Sequence, residues 1–470
     1  PRSTPLYSSA ASDVYKRQVI VGGGTAGWLS AAYLLKRKRK QCEIIVVDKT
    51  VSETVSVGEA TIISFKQFMY DCGFSVEQWF TAIDATFKTG ILFKDWQQEG
   101  KNLWHPFGHL PDELNLWTNY KEFDFHKHAC AFYDPAVTEN KISQSAIGSF
   151  AYHIDCDKLV KFIKSKILNE ITFVPQGVID VNRNERGGIS SIKLESGEEI
   201  ESDLFIDCSG FKSLLLGGVM EEEYISFGDT LINNKALTTK IPYTDKDKQL
   251  KNHTNCVALK NGWCWEIPLW EHMSIGYVHT NKFATEDEVK QELFDRYGEI
   301  DYTTVNYKTG RYNRGWVKNV MGIGLSYGFI EPLESTGIAT TLDSIFRALE
   351  ILARRDMHYT QVDRDLYNYA LGKKIDGYRN FLEIHYFLSS REDSQYWKFV
   401  TENIDYNSKE YKDFLDALII DRNLSHMNYD YNGNPFFTGR LFIVAGMNYS
   451  CYSKPFTLIE QSENLSLIHI

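Results

Sequence analysis

The segment VIVGGGTAG contains three glycines, Gly22, Gly24 and Gly27, in a GxGxxG pattern that could bind phosphate. The pattern follows an apolar strand-like run and opens a helix-like segment, and Asp48 ends the next apolar run, 21 residues after Gly27. In this context glycines let the backbone approach a pyrophosphate at a helix N-terminus, and an acidic residue accepts hydrogen bonds from ribose hydroxyls. The motif predicts a dinucleotide site for FAD or NAD; the alternative is a glycine turn without a ligand.

Lys88 lies among apolar residues in the segment DATFKTGILF, at positions 84–93. Burial would lower the pKa of its ammonium group, because the charged form loses hydration, and a nearby carboxylate would raise that pKa again. Alternatively, the aliphatic stem packs on the protein while the ammonium group reaches water. The segment therefore offers either a buried amine or an ordinary surface lysine.

Two late segments favour FAD over NAD. DLFIDCSG, at 203–210, is predicted to be a second strand that ends in glycine, and FAD enzymes of the hydroxylase type return to their cofactor with such segments. In GLSYGFIEPLESTGIATTLDSIFRALE, at 324–350, a turn leads into an amphipathic helix, so that the amides of Thr336 and Gly337 would point out of its N-terminus. Such a helix end attracts an anion or the pyrimidine edge of a flavin. A cap formed by Ser335 or Thr336 is the structural alternative.

The elements around these residues predict an α/β protein. QVIVGGGTAGWLSAAYLLKRK is predicted to be a strand, a turn and a helix, and CEIIVVDKT a second buried strand. Further strands are predicted in ITFVPQGVIDVNR, ISSIKLESG and DLFIDCSG, a helix in DKLVKFIKSKILNE, and paired strands in GWCWEIPLW and HMSIGYVHT. From 341 onward helices dominate, and the residues that share one helical face are Leu342, Ile345, Phe346, Leu349 and Leu352.

Composition limits the classes of partner. The chain has 470 residues, 43% hydrophobic and 24% charged, which is ordinary for a soluble globular protein of one or two domains. With 51 Lys+Arg against 62 Asp+Glu, the net charge of −11 disfavours nucleic acid as a partner. The basic run KRKRK at 36–40 is predicted to be a solvated helix end.

Cysteine usage and hydropathy indicate the compartment. No CxxC pair and no run of about 18 apolar residues occurs, so we expect free, mostly buried thiols, a reducing compartment such as the cytoplasm, and no membrane span. The cysteines are Cys42, Cys72, Cys130, Cys156, Cys208, Cys256, Cys264 and Cys451.

Eight motifs carry a resemblance to a known family. In chain order they are GGGTAGW at 22–28, VGEATI at 57–62, ATFKTGI at 85–91, HPFG at 105–108, DLFIDCSGF at 203–211, GWCWEIP at 262–268, EPLESTGI at 331–338 and REDSQYW at 391–397. Together they closely resemble the flavin-dependent halogenases of the tryptophan-halogenase type, over about residues 19–460. The most specific of them, GWCWEIP, is similar to the WxWxIP signature of that family.

The resemblance implies a fold and a division of the chain. We expect an FAD-binding box of the aromatic-hydroxylase, or glutathione-reductase-like, type at 19–355, with an aromatic-rich insert at about 66–150 beside the substrate pocket. A mainly helical subdomain at 356–463 would cover the substrate. The end segments 1–18 and 464–470 are expected to be non-native, or to mark a truncated C-terminus.

The resemblance also implies a chemistry. Reduced FAD from a separate flavin reductase, O2 and a halide give hypohalous acid, which crosses an internal tunnel to an aromatic substrate. The lysine that receives the acid corresponds to Lys88, which could hydrogen-bond it or be halogenated at nitrogen, and so fix where it meets the ring. The family's glutamate corresponds to Glu334, which could polarise the acid and accept the ring proton. The alternative role for Glu334 is charge compensation at a helix N-terminus.

Further positions follow from the same motifs. The backbone at Thr336 and Gly337 corresponds to the halide site, so no side chain encodes the choice among chloride, bromide and iodide. Trp263 and Trp265 would shield the tunnel side of the flavin, and a packing role in a strand is compatible with this. The residues assigned to FAD are Gly22, Gly24, Thr25, Ala26, Gly27, Asp48, Glu59, Ala60, Val178, Leu325 and Ile338.

Substrate residues are less clearly encoded. The resemblance places His105 and Phe107 near the substrate ring, although a structural turn would also explain HPFG. The segment NYDYNGNPFFTGRLFIVAGMNYS does not match the contacts that grip free tryptophan, which favours a simpler indole, a phenol or another small aromatic. Other aromatics that could line the pocket are Tyr429, Tyr431, Phe436 and Phe437.

Two other functions remain compatible with these motifs. A single-component aromatic hydroxylase would use the same scaffold without needing Lys88 and Glu334, and a non-catalytic protein would retain FAD without turnover. No metal-ligand spacing and no Ser/His/Asp arrangement is present in the sequence. A homodimer is compatible with the sequence.

Overall fold

A computed structural model describes residues 16–37, 42–49, 58–107, 150–354 and 358–404. Within these ranges no helix has both the length and the apolar character needed to cross a bilayer. The strand that precedes the glycine turn begins at Lys16, so residues 16–18 of the segment expected to be non-native pair with the sheet.

The described ranges contain both helices and strands. The helices are α1 (Thr25–Arg37), α2 (Ser64–Asp71), α3 (Val76–Trp79), α4 (Cys156–Ile167), α5 (Lys246–Gln249), α6 (Glu286–Tyr297), α7 (Thr336–Arg354), α8 (Gln361–Phe387) and α9 (Gln395–Glu402). The strands are β1 (Lys16–Val21), β2 (Cys42–Val47), β3 (Gly58–Ala60), β4 (Thr86–Lys88), β5 (Gly90–Lys94), β6 (Asn102–Pro106), β7 (Ala151–Asp155), β8 (Thr172–Val174), β9 (Val178–Arg183), β10 (Ile189–Leu194), β11 (Glu199–Glu201), β12 (Leu204–Asp207), β13 (Tyr224–Ser226), β14 (Lys235–Pro242), β15 (Thr254–Leu259), β16 (Gly262–Pro268), β17 (His272–His279), β18 (Thr303–Asn306), β19 (Gly310–Tyr312), β20 (Trp316–Val317), β21 (Val320–Gly322) and β22 (Gly328–Phe329).

A six-stranded sheet, here called the nucleotide sheet, has the order β20-β21-β12-β1-β2-β8. Strand β1 pairs in parallel with both β2 and β12, and the residues at its centre, Val19 and Ile20, are fully buried. Strands covered on both faces need continuous apolar runs, which these segments supply. The predicted strand, glycine turn and helix are therefore confirmed, with α1 beginning at Thr25.

A seven-stranded sheet, here called the long sheet, has the order β18-β14-β17-β16-β15-β5-β6. Strands β16 and β17 pair antiparallel, which confirms the predicted pairing of GWCWEIPLW with HMSIGYVHT. Strand β6 forms one edge and pairs with β5, so that His105 lies opposite Ile91.

A three-stranded sheet of order β3-β7-β4, here called the small sheet, carries Glu59 on β3 and Lys88 on β4. Its central strand β7 leads directly into α4, whose first turn is capped by Asp155 accepting a hydrogen bond from the amide of Lys158. The helix predicted in DKLVKFIKSKILNE is confirmed and begins one residue earlier, at Cys156.

Helices dominate after the last strand, as the sequence predicts. Helix α7 starts at Thr336 and packs against α1 and α8, and the predicted helical face is buried at Leu342, Ile345, Leu349 and Leu352. Phe346 is partly buried at the edge of this face, where its ring contacts Tyr33 and Phe68. Helix α8 begins with a capping box between Thr360 and Asp363.

The cysteines of the described ranges are reduced and buried, as predicted. These are Cys42, Cys72, Cys156, Cys208, Cys256 and Cys264. Cys130 and Cys451 lie outside the described residues.

Candidate active site

The glycine turn between β1 and α1 leaves a cradle for a ligand. Gly22 has a φ of 112°, and a Cβ atom there would lie 2.3 Å from the carbonyl oxygen of Cys208. A Cβ atom on Gly27 would lie 2.0 Å from the carbonyl oxygen of Gly22, so this glycine lets the helix pack on the turn. A Cβ atom on Gly24 would, beyond its chain neighbours, meet no atom of the described residues within 4 Å. These are the separate requirements of a turn, close packing and an open approach for a pyrophosphate, so the residues fit a dinucleotide.

The neighbours of this turn fit the same ligand. Asp48 directly follows β2 beside the turn, where a Cβ atom on Gly23 would lie 2.6 Å from its Oδ2. Burial raises the pKa of Asp48, and backbone hydrogen bonds from Gly23 and Lys49 oppose that rise. Thr25 begins α1, and Ala26 packs against Gly324 from the late segment. The late segment therefore returns to the glycine turn.

The other positions assigned to FAD lie on several elements around this cradle. Val178 is the half-buried first residue of β9, next to Gly177, which packs on Lys49. Leu325 is half-buried in a short 3-10 turn, Gly324–Ser326, and Ile338 is buried in the first turn of α7.

Glu59 and Ala60 lie on β3 of the small sheet. Ala60 is buried and pairs with His153, whereas a Cβ atom on Gly337 would lie 3.6 and 3.7 Å from the two carboxylate oxygens of Glu59. Burial raises the pKa of Glu59 to about 7. A titratable carboxyl group therefore lies beside the N-terminus of α7.

The turn that precedes α7 is strained. Glu334 and Ser335 have φ values of 59° and 64°, in the left-handed region that side chains other than glycine rarely adopt. Thr336, the first residue of α7, donates its hydroxyl to the carbonyl oxygen of Glu331 at 2.7 Å. The Ser335 hydroxyl instead accepts a hydrogen bond from Lys88. The two hydroxyl groups that the capping alternative would use therefore have these other partners.

Lys88 is fully buried, which excludes the surface-lysine interpretation. Its Nζ donates to the carbonyl oxygen of Thr61 at 3.1 Å and to Ser335 Oγ at 2.5 Å, and lies 4.9 Å from the centre of the Phe107 ring. Burial lowers the pKa of Lys88 to about 8, and the charge of Glu334 acts against this shift. The carboxylate of Glu334 thus acts on the pKa of Lys88 through space. The direct hydrogen-bond partners of Lys88 are the Thr61 carbonyl and the Ser335 hydroxyl.

Glu334 lies between two imidazole rings. His105 Nδ1 is 2.8 and 3.0 Å from its two carboxylate oxygens, and His385 Nε2 is 2.9 Å from Oε1. Burial would raise the pKa of Glu334, but His105 and His385 outweigh it and hold that pKa well below its usual range. Glu334 is therefore a buried carboxylate that is kept charged.

The two residues predicted near the substrate contact this pair. His105, on β6, is half-buried and holds Glu334, and Phe107, just after β6, is half-buried and faces Lys88. Strand β6 therefore brings a ring to each of the two candidate catalytic groups.

Trp263 and Trp265 lie on one face of β16 with ring centres 6.2 Å apart. Trp265 lies flat on Gly276, where a Cβ atom would come within 1.8 Å of the indole. Trp263 is fully buried and donates its Nε1 hydrogen to Glu331 Oε2 at 3.2 Å. The two tryptophans therefore have the packing role expected in a strand. Trp263 in addition binds the carboxyl group of Glu331, three residues before Glu334.

Sequence reasoning missed Glu331 and His385. Glu331 is fully buried and also accepts hydrogen bonds from Asn233 Nδ2, at 3.1 Å, and from the hydroxyl group of Tyr386. Burial raises the pKa of Glu331 to about 7, against the effect of these donors. The residues that bind Glu331 and His385 lie far from them in the sequence. The spacing of residues along the chain therefore could not predict either contact.

Part of the predicted pocket lies outside the residues that the structure describes. Tyr429, Tyr431, Phe436 and Phe437 lie outside the described residues, as does the last part of the predicted substrate subdomain.

Comparison with known proteins assigns the family. The family model for tryptophan halogenases matches residues 17–428. The chain belongs to the tryptophan halogenase family. The tryptophan 6-halogenase ThaL of Streptomyces albogriseolus is 31% identical over 419 residues, which cover 82% of this chain and 78% of that protein.

Solved structures of the family have the same fold. The crystal structure of the tryptophan 6-halogenase SttH from Streptomyces toxytricini has a TM-score of 0.82 and 26% identity, covering 96% of this chain and 97% of that one. Tar14, a tryptophan C-6 flavin-dependent halogenase, has a TM-score of 0.81 and 28% identity, covering 95% of each chain. The predicted fold class, an α/β protein with an FAD-binding box, is confirmed, since these structures have a Rossmann-like FAD-binding fold.

This tryptophan halogenase family member is a flavin-dependent halogenase, as the motifs predicted. The halogenase interpretation is thus confirmed over the hydroxylase and the non-catalytic flavoprotein. Its family implies the use of FAD and a halide, and of a separate flavin reductase.

Proposed function

We propose that this halogenase binds FAD in the glycine cradle and halogenates a small aromatic compound at the Lys88–Glu334 site. Reduced FAD, when bound, would activate O2 so that it oxidises the halide to hypohalous acid. Gly22, Gly24 and Gly27 would hold the pyrophosphate, with the Asp48 carboxylate at the ribose. The open space at Gly24 supports this assignment.

The halide would bind at the N-terminus of α7, against the amides of Thr336 and Gly337. The helix dipole favours an anion there, while an ionised Glu59 beside Gly337 would oppose it. Since burial raises the pKa of Glu59 to about 7, this carboxyl group can be neutral near physiological pH. Backbone amides do not distinguish sharply among chloride, bromide and iodide, so the halide used is left to experiment.

Lys88 would hold the hypohalous acid through its third N–H group. Two of its N–H groups are directed at Thr61 and Ser335, which leaves one donor for a bound molecule. This proposal rests on the fully buried ammonium group of Lys88. That group binds Ser335, the residue directly before Thr336 of the proposed halide site. An electrophile fixed at one point attacks one position of the ring, which gives regiochemical control.

Glu334 would act as the base that takes the proton from the halogenated ring. His105 and Phe107 would contact the substrate, because their rings lie next to Glu334 and Lys88. Trp263 and Trp265 would form the wall between this pocket and the flavin.

We further propose that the substrate is an indole or a similarly small aromatic compound. Several relatives are named as halogenases of tryptophan. The segment that would grip the amino acid's carboxylate and ammonium groups does not match in this chain, which supports a simpler ring. Reduced FAD would be supplied by transient contact with a separate reductase.

The test is turnover with reduced FAD, O2, chloride or bromide, and a panel of indoles and phenols, analysed by mass spectrometry. We expect a halogenated product whose mass follows the halide. Lys88→Met should abolish the product while flavin reoxidation continues, and Lys248→Met, at an exposed lysine, should change neither. A hydroxylated product, or halogenation that survives Lys88→Met, would overturn the proposal.

A further inference from the structure

The hydrogen bonds of His385 determine where its protons are. Its Nδ1 lies 2.9 Å from the carbonyl oxygen of Phe381, one turn earlier in α8. A carbonyl oxygen only accepts, so Nδ1 carries a hydrogen. Its Nε2 lies 2.9 Å from Glu334 Oε1, and this contact also needs a hydrogen between the two atoms. His385 and Glu334 therefore share one proton beyond the Nδ1 hydrogen.

The surroundings place that proton on the imidazole. His105 Nδ1 lies within hydrogen-bond distance of both oxygens of Glu334, so it donates to a carboxylate rather than facing an acid hydroxyl. The ammonium group of Lys88, on β4, also favours a negative charge on Glu334. A further titratable neighbour is Cys256 on β15, whose thiol stays neutral because burial raises its pKa well above the ordinary value.

The same contacts distinguish the two oxygens of Glu334. Among the residues that the structure describes, Oε1 accepts from His385 at 2.9 Å and from His105 at 2.8 Å, whereas Oε2 has only the longer His105 contact at 3.0 Å. A carboxylate oxygen accepts through two lone pairs, so Oε2 keeps one free for a further hydrogen. The ring of His385 is fully buried against Phe93 and Phe381, which keeps its proton from water.

We propose that His385 is a positioning residue that stays protonated against Oε1 of Glu334, so that Oε2 is the oxygen that takes the proton from the halogenated ring. This inference rests on the proposed function of Glu334. In the step, the C–H bond at the halogenated carbon breaks, its electron pair restores the aromatic ring, and the proton forms an O–H bond with Oε2. His385 keeps both of its protons throughout.

The charge of His385 can be measured without turnover. In the ligand-free, full-length protein labelled with 15N-histidine, we expect one buried imidazole to show two N–H groups at pH 7.5. This signal should be missing in His385→Gln and should become that of a neutral ring in Glu334→Gln, which keeps the shape but removes the charge. A neutral ring for this residue in the wild type would overturn the inference, and Glu334→Gln alone reveals the signal if His385→Gln does not fold.

A pH profile separates a charge effect from packing. His385→Gln keeps an N–H group for Oε1 but loses the positive charge, and losing such a partner raises a buried carboxyl pKa by roughly 1–3 units. We expect the loss of product formation on acidification to begin at a higher pH in this variant than in the wild type, because a protonated Glu334 cannot take the ring proton. An equal fractional loss at every pH would mean that His385 only packs.

The two proposals fail in different ways. If the wild type makes no halogenated product, the proposed function fails, while the histidine spectrum still decides the charge of His385. If the wild type is active and depends on Glu334, but the spectrum shows a neutral His385, only the present inference fails.

Discussion

The indole N–H of Trp263 donates to the carboxyl group of Glu331 at 3.2 Å, which ties the WxWxIP strand to the turn that carries Glu334. The backbone carbonyl oxygen of Glu331 also accepts a hydrogen bond from the hydroxyl group of Thr336. One buried residue thus joins the tryptophan pair, the N-terminus of α7 and, through Tyr386, helix α8. This network has consequences for stability that can be measured.

Glu331→Gln should change the pH dependence of stability. Burial raises the pKa of Glu331 from 4.5 to about 7, so its contribution is fully present below pH 4.5 and is lost as the pH rises through 7. The free energy of unfolding of the variant, relative to that of the wild type, should therefore be higher at pH 8 than at pH 5 by on the order of 3 kcal/mol. Denaturant unfolding at the two pH values measures this difference.

The control is Glu198→Gln, at an exposed residue, which should show the same difference from the wild type at both pH values. A pH-independent effect of Glu331→Gln would mean that Glu331 titrates alike in the folded and unfolded chains.

The glycines of the cradle should separate binding from folding. Gly24→Ala adds a methyl group that, beyond its chain neighbours, meets no atom of the described residues within 4 Å, so the ligand-free melting temperature should hardly change. The methyl group would occupy the approach of the pyrophosphate, and we expect FAD affinity to fall at least about tenfold. Gly27→Ala would instead collide with Gly22 and should unfold or strongly destabilise the chain. Thermal melts and FAD titration test both, and wild-type FAD affinity in Gly24→Ala would contradict this assignment.

Ser335 combines a strained backbone with a hydroxyl group that holds Lys88. Ser335→Ala and Ser335→Gly both remove that hydroxyl, so both should lower halogenation to a similar extent. At a φ of 64°, glycine should be more stable than alanine by about 1 kcal/mol, because only alanine carries a Cβ atom into the left-handed region. Equal unfolding midpoints for the two variants would argue against strain, and full activity in both would argue against the hydroxyl.

Halogenation should depend on the charge of Lys88. Burial lowers the pKa of Lys88 to about 8, so the ammonium form, the proposed donor to hypohalous acid, is lost as the pH rises through 8. We expect product per reoxidised flavin to fall between pH 7 and 9, while the flavin reoxidation itself, followed by absorbance, stays level. A rise over this range would indicate that the neutral amine reacts, through halogenation at nitrogen.

Much of the cofactor half could be predicted because its signals are local. The GxGxxG spacing, the apolar runs around it and Asp48 each lie within a few residues of the structure they specify. The paired strands of the WxWxIP region and the start of α7 at Thr336 follow from similar short-range patterns. In these segments the backbone conformation is fixed by neighbouring residues, so the sequence alone predicts it.

The arrangement around Lys88 and Glu334 could be known only from the tertiary structure. Lys88 and Ser335 are 247 positions apart, and His105 and Glu334 are 229 apart. Whether Lys88 is buried depends on which strands and turns close over it, and the resemblance alone indicated that they do.

The sequence by itself determined the glycine turn, indicated the family and singled out Lys88 and Glu334 as candidate catalytic residues. Only the tertiary structure decided that Lys88 binds Ser335 rather than Glu334, that Glu334 lies between His105 and His385, and that Trp263 holds Glu331. The physical reason is that hydrogen-bond partners and burial depend on long-range packing, which joins segments whose spacing along the chain carries no periodic signal.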